Sequence, residues 1–355
     1  MAGRTHLLDC GEAVNAAFRE EMRRDERVVM WGEDLASIGS FTGGGDVTTQ
    51  GLLEEFGGDR VRDTPMVESA IVEMAVGAAM TGLRPIAFVM TGGFQMGCFD
   101  PIFARLGTGP QEWNHQGPLP VVVVSSVLGG GGKGADHALS PESLFMHSPG
   151  LKIVMPSTAY DTKGLLKTAI RDDSPVLFYT HREVTLLEKQ PIPAEEYLIP
   201  FGKADVKRAG EDVTLVAYSA MVHKALAAAE ELSKDGISVE VVDLRTLVPM
   251  DVDTIVSSVK KTGSLLIVHE AMKRAGAAGE IAMRVTEAAP DVVQALKTPI
   301  RRLAAQNIAL PTSLWLERQV TPQVDDIVEA VKETVKGMGS GPRLVDLSSA
   351  SEPAR

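Results

Sequence analysis

Glu68 is the first residue whose setting suggests chemistry. It stands in Asp63–Phe94, DTPMVESAIVEMAVGAAMTGLRPIAFVMTGGF, near the start of a stretch rich in Ala, Gly, Val and Met. A carboxylate at the head of an apolar helix is either a cap or a functional group. The first turn favours acidic residues through the helix dipole and its free N–H groups, so physics alone puts capping slightly ahead. His137 is the second candidate. It follows Gly129-Gly130-Gly131-Gly132, just past the continuous apolar run Leu119–Val127. A bare glycine run is usually a surface loop, and a lone histidine is more often structural. These two sit beyond the carboxyl end of a buried parallel strand, where open α/β sheets bind their ligands. Glu33 ends the short apolar run Val28–Trp31, an ordinary place for a surface acid. Phe94 closes the Glu68 segment and would by itself be a core residue.

The elements that must carry these residues alternate between β and α. Residues 9–24 predict a helix capped by Asp9, with Val14, Ala17, Phe18 and Met22 on one face. Residues 36–50 predict loop. A helix follows Thr64-Pro65, is broken at Leu83-Arg84-Pro85, and leads to a strand over Ile86–Met90 and a turn at Thr91-Gly92-Gly93. A helix over Pro101–Leu106, a polar loop over 107–117, strands at Lys152–Met155 and Val176–Tyr179 and a helix at Ala159–Arg171 continue the alternation. It breaks over residues 182–202, rich in Glu and Pro, and restarts at Val213. This predicts two parallel-sheet α/β domains, residues 1–185 and 205–337, with a linker over 186–204 and a mobile tail over 338–355.

Composition excludes several function classes. Apolar residues make up 44% and charged residues 23%, ordinary for a soluble globular chain. A formal charge of -12 argues against a nucleic-acid or anionic-membrane surface. Cys10 and Cys98 are the only cysteines, so neither a disulfide framework nor a cysteine metal site is available. No leader signature and no 18-residue apolar run occurs, which predicts a cytoplasmic protein. The chain lacks G-x-x-x-x-G-K-[ST], H-E-x-x-H and G-x-S-x-G, and Gly129–Gly134 does not fit the dinucleotide fingerprint. His269-Glu270 alone is no metal motif.

Order and spacing of longer motifs are more specific. D-T-P-x-x-E at Asp63–Glu68, A-V-G-A-A-M-x-G-L-R-P at Ala75–Pro85 and M-T-x-x-F at Met90–Phe94 come first. H-x(9)-H-x-P-G-L-K runs from His137 through His147 to Lys152, and G-L-L-K-x-A-I-R-D covers Gly164–Asp172. V-x-L-V-x-Y-S-x-M-V-H at Val213–His223 and V-x-D-L-R-T-L-x-P-x-D at Val241–Asp251 follow. Together they resemble the β subunit of the thiamine-diphosphate-dependent 2-oxo acid dehydrogenases, the E1 component, over about residues 5–337.

The resemblance implies a transketolase-like pyrimidine-binding domain followed by a transketolase C-terminal-like domain. It implies an α2β2 assembly with an α subunit that holds the cofactor's diphosphate and Mg²⁺ through a G-D-G…N-N motif, absent from this chain. Glu68 would contact the aminopyrimidine ring and exchange a proton with it, readying the cofactor's carbon nucleophile. Phe94 would stack on that ring, and His137 would stand near the reacting carbon. Glu33 would belong to an acidic path linking two active sites. Asp172, with carbonyls around Val121, Ala169 and Ser174, would mark a potassium site, although Ser174 stands where the family commonly has Asn.

Departures from the family's pattern cluster beside these residues. Gly92-Gly93 replaces the Phe-Asn of the usual M-T-F-N-F, which predicts open space near the substrate or a change in strand flexibility. Gly129–Gly132 replaces a G-P-N-G-type loop, Gln111–Gln116 adds a Trp and a His, and a Gly-rich insertion follows Gly39. The leading expectation is an E1 β subunit acting on a 2-oxo acid or an acyloin and passing the acyl unit to a lipoyl group of an E2 acyltransferase. The alternatives are an atypical carboligase or transketolase-like enzyme using an aldehyde acceptor, and a structural subunit without catalysis.

Overall fold

The structure, a computed structural model, describes residues 5–35, 45–114 and 117–336. The loop expected over 36–44, the insertion after Gly39, His115, Gln116 and the tail 338–355 lie outside the described residues. The strands in chain order are β1 Thr5–Leu8, β2 Val28–Gly32, β3 Val61–Asp63, β4 Arg84–Thr91, β5 Val122–Val127, β6 Lys152–Val154 and β7 Val176–His181. They continue with β8 Gln190–Pro193, β9 Asp205–Arg208, β10 Val213–Ala217, β11 Val239–Asp243, β12 Thr246–Val248, β13 Leu265–Met272 and β14 Arg301–Ala305.

Among the described residues these form a seven-stranded sheet, order β12-β6-β7-β5-β4-β2-β3, and a five-stranded sheet, order β14-β13-β10-β11-β9. Both are parallel except for one antiparallel edge strand each, β12 against β6 and β9 against β11. The fold is thus two α/β layers, as the alternation predicts. Strands β4, β5 and β7 are buried along nearly their whole length, which is why their sequences carry consecutive apolar residues rather than an alternating pattern.

The two layers are not independent. Strand β12 belongs by sequence to the second half but completes the first sheet, pairing Thr246 with Val154. One apolar cluster contains Ala87, Val123 and Leu177 of the first sheet together with Leu244, Leu247 and Ile267 from the second half. The stretch 186–204, expected to be linker, supplies β8, which pairs antiparallel with β1.

Several local expectations shift. Strand β4 starts at Arg84, so Pro85 lies inside it, opposite Val29, rather than breaking a helix before it. Part of the stretch read as loop is helical, at Gly45–Thr49, and helix continues past Leu106 through Thr108 and on to Glu112. The turn after β4 is a 3-10 helix, Gly92–Cys98. Its hydrogen bonds explain why. Buried Gln95 donates from Nε2 to Ser125 Oγ (2.9 Å) and accepts from Tyr179 Oη (2.6 Å), so neighbouring strands anchor the turn.

Candidate active site

Four of the singled-out side chains hang from the carboxyl ends of four adjacent strands. Glu33 follows β2, Glu68 opens the helix after β3, Phe94 lies in the turn after β4, and His137 lies beyond β5. Parallel strands put all such ends on one edge of the sheet, so residues about a hundred apart in sequence meet there.

Glu68 is the first residue of the helix Glu68–Met80, and no side chain caps that helix. The Glu68 carboxylate is half-buried against Gly97, where an added Cβ would come within 3.2 Å of Oε2. The side chain fits because position 97 carries none. Met66, Val67 and Met74 on the Glu68 segment and Met96 and Phe99 on either side of Gly97 are exposed apolar side chains.

Glu33 is almost fully buried, at 2% exposure. Its Oε2 accepts the Met90 amide at 3.1 Å, while Oε1 has no partner among the described residues. Burial pushes its carboxyl up to about 7; the Met90 amide opposes this, and the charges of Glu68 and Asp34 add to it. The sign for stability follows. The folded chain keeps this proton to higher pH than the unfolded chain, so stability falls as pH rises from about 4.5 to about 7. Glu33→Gln should therefore raise Tm at pH 8 and leave it nearly unchanged at pH 5. Equal changes at both pH values, read by thermal unfolding, would refute the assignment.

Phe94 and His137 meet edge to face, with ring centroids 5.0 Å apart and planes at 66°. The glycine pair before Phe94 does not open space. A Cβ at Gly93 would overlap the carbonyl oxygen of Asp136, and one at Gly92 would reach Pro141 Cδ at 2.9 Å. The segment bearing His137 occupies the volume that side chains at these two positions would take. That corrects the expectation of a cavity: the glycines let the histidine close in.

The potassium candidates are also brought together, around the end of the helix Ala159–Arg171. Val121 O accepts from Val176 N at 2.9 Å and Ala169 O from Asp172 N at 3.3 Å. Asp172 O accepts from Arg84 Nη2 at 2.6 Å, and its carboxylate accepts from Lys152 Nζ at 2.6 and 2.7 Å and from Ser174 N at 2.8 Å. Two protein cations, Arg84 and Lys152, already serve Asp172.

Comparison with known proteins bears on which chemistry this edge serves. Residues 7–186 match the transketolase pyrimidine binding domain and residues 202–327 the transketolase C-terminal domain. The 2-oxoisovalerate dehydrogenase subunit beta of Bacillus subtilis is 44% identical over 324 residues, 91% of this chain and 97% of its own. The pyruvate dehydrogenase E1 component subunit beta of the same organism is 40% identical over 329 residues, 92% of this chain and 98% of its own. The chain belongs to the 2-oxo acid dehydrogenase E1 β subunit family. A split-gene transketolase, solved as an inactive β4 tetramer, superposes with a TM-score of 0.72 at 22% identity, covering 92% of this chain and 97% of that one. At that identity the likeness speaks for the fold alone.

Beneath the family's strand-end residues lies a buried polar layer that sequence motifs did not reveal. Glu142 accepts from Ser140 Oγ (2.6 Å) and Tyr218 Oη (2.7 Å), and burial raises its carboxyl pKa. Glu270, half of the unassigned His-Glu dipeptide, lies 2.5 Å from His181 Nε2. Burial would hold the His181 pKa down, but the adjacent Glu270 carboxylate outweighs it and the net direction is up; the partner charge likewise lowers Glu270 despite its burial. Glu270 is a buried charged position inside the apolar strand Leu265–Met272, a signal available in the sequence; Glu142, between Pro141 and Ser143 at the start of a short helix, carries no such signal.

Proposed function

We propose that this chain is the β half of a thiamine-diphosphate-dependent 2-oxo acid dehydrogenase E1 in the cytoplasm, active as part of a heteromer with an α subunit. The observation that carries this reading is the grouping of Glu68, Glu33, Phe94 and His137 on one sheet edge, with Glu68 beside exposed apolar side chains. A lone β chain leaves Met66, Val67, Met74, Met96 and Phe99 in water; a partner that closes over them also closes over Glu68. Among the described residues no group of three His, Cys, Asp or Glu side chains could hold a metal ion. In this reading Mg²⁺ sits with the diphosphate on the α subunit.

Thiamine diphosphate, when bound, supplies a carbon nucleophile that accepts the acyl fragment of the substrate. Glu68 holds and exchanges a proton at the aminopyrimidine ring nitrogen. Phe94 gives that ring a face to lie against. His137, held edge-on to Phe94, orients the substrate carboxylate or carbonyl and delivers a proton to its oxygen. Glu33, protonated or shared near neutral pH, keeps a second negative charge from building beside Glu68. The substrate in this reading is a 2-oxo acid or acyloin, and the acyl acceptor is a lipoyl group on an E2 partner.

The test is co-expression with an E1 α subunit that carries the G-D-G…N-N motif. The complex should reduce ferricyanide with pyruvate, branched 2-oxo acids or acetoin, and should reductively acylate an isolated lipoyl domain. Carboligation to an aldehyde with no lipoyl acylation would replace the E1 reading by a carboligase. Full activity of the β chain alone would refute the shared site.

A further inference from the structure

The glycine loop after β5 reads in sequence as a cradle awaiting a ligand. In the structure it already holds an anion supplied by the same chain. Glu317, on the helix Leu314–Val320 of the second domain, is fully buried. Its Oε1 accepts from the Gly130 amide at 2.9 Å and its Oε2 from the Gly132 amide at 2.6 Å. Gly130 and Gly132 have φ of +72° and +63°, and alternating backbone of this kind turns successive N–H groups toward one point, as anion-binding nests do. Other contacts leave the loop no freedom. Arg182 Nη1 donates to Gly130 O at 3.2 Å, and a Cβ at Gly132 would sit 2.9 Å from Thr312 O. At Gly129 and Gly130 an added Cβ would overlap the carboxylates of Glu270 and Glu183. This is a built junction between domains rather than a surface loop.

Two residues past Gly132 the chain reaches Gly134, which opens the short helix Ala135–Ala138 carrying His137. On the far side, Glu142 is tied to Tyr218 of the second domain. His137 is therefore strung between two anchor points that both reach across the domain boundary. We infer that Glu317 is a positioning residue: its carboxylate fixes loop 129–134 from the second domain and thereby sets where His137 stands. The inference rests on the role proposed for His137. It assigns to the second domain a part in the chemistry of the first, and it gives three of the four glycines a purpose: Gly130 and Gly132 turn their amides to one carboxylate, and Gly129 and Gly130 clear acidic side chains.

Charge-assisted hydrogen bonds in buried settings are the strong ones, so loss of both should be visible. The experiment uses the αβ complex carrying Glu317→Gln or Glu317→Ala, with hydrogen–deuterium exchange of the peptide spanning 129–134 and steady-state kinetics. In Glu317→Ala the loop amides should exchange roughly tenfold faster or more, and kcat should fall by at least about tenfold while KM changes little. Glu317→Gln keeps one acceptor oxygen and should lie between; if the Ala variant does not fold, the Gln variant decides. Unchanged exchange in the loop overturns the clamp. Faster exchange with unchanged kcat overturns positioning, provided that His137→Ala abolishes turnover. If His137→Ala leaves turnover intact, it is the catalytic reading of His137 that fails, while the exchange data still decide whether Glu317 holds the loop.

Discussion

Glu68→Gln in the αβ complex should lose roughly 10²–10⁴-fold in kcat, the range for a general acid–base group, while the protein folds normally. The substitution keeps size and one acceptor oxygen but removes the exchangeable carboxyl proton. Two readings of Glu68 separate here. If it serves the helix dipole only, neutralising it costs about 0.3–1 kcal/mol at a helix start, Tm drops slightly and turnover is untouched. If it exchanges a proton with the cofactor ring, turnover collapses and Tm barely moves. We favour the second because the carboxylate is seated against Gly97 beside exposed apolar side chains, while its place in the first turn fits either reading. Cofactor binding to the complex, followed by tryptophan fluorescence, should persist within about tenfold, since the diphosphate contacts lie on the α subunit in this reading. Unaltered turnover with lowered Tm would return Glu68 to a structural role.

The fold was legible because parallel sheets advertise themselves. Val122–Val127 and Val213–Ala217 are predominantly apolar strands rich in valine, and the helix Cys10–Arg24 shows its Asp9 cap and its buried stripe in the sequence. The candidate site was legible only through long motifs, because a strand-end position is a place and not a residue type. What could not be read is who fills a space. Strand β12 pairs across the domain boundary through three residues, Thr246–Val248, too few to show a period. Pro85 passes as a helix breaker until the strand around it is seen. The Gly129–Gly132 loop declares flexibility in sequence and is locked by Glu317, nearly two hundred residues away. Local rules price each residue against water, and these positions are decided by partners distant in sequence.

Gly92-Gly93 makes the same point with a measurable consequence. Counting side chains, the pair should enlarge the site; Asp136, Leu139 and Pro141 are packed against it instead. Gly93→Ala therefore must push back a backbone carbonyl, which cannot rotate away as a side-chain tip can. Forcing extra carbon into a packed region costs about 1–3 kcal/mol, and the strain here falls on the residue preceding His137. Turnover should drop by at least about tenfold, since misplacing a catalytic group by an ångström costs about two orders of magnitude. Tm should fall by several degrees. Gly92→Ala is the graded comparison: its Cβ would meet Pro141 Cδ at 2.9 Å and Leu139 O at 3.0 Å, contacts that small shifts relieve, so its loss should be smaller. Two readouts guard against mere instability. The diphosphate contacts lie on the α subunit in this reading, so cofactor affinity should survive within about tenfold in Gly93→Ala even as Phe94 shifts, and lowering the assay temperature should restore Tm margin without restoring kcat. If instead Gly93→Ala turns over normally, the contact between Gly93 and Asp136 does not govern His137. The substrate wall would then have to be sought on the partner subunit's side of the site.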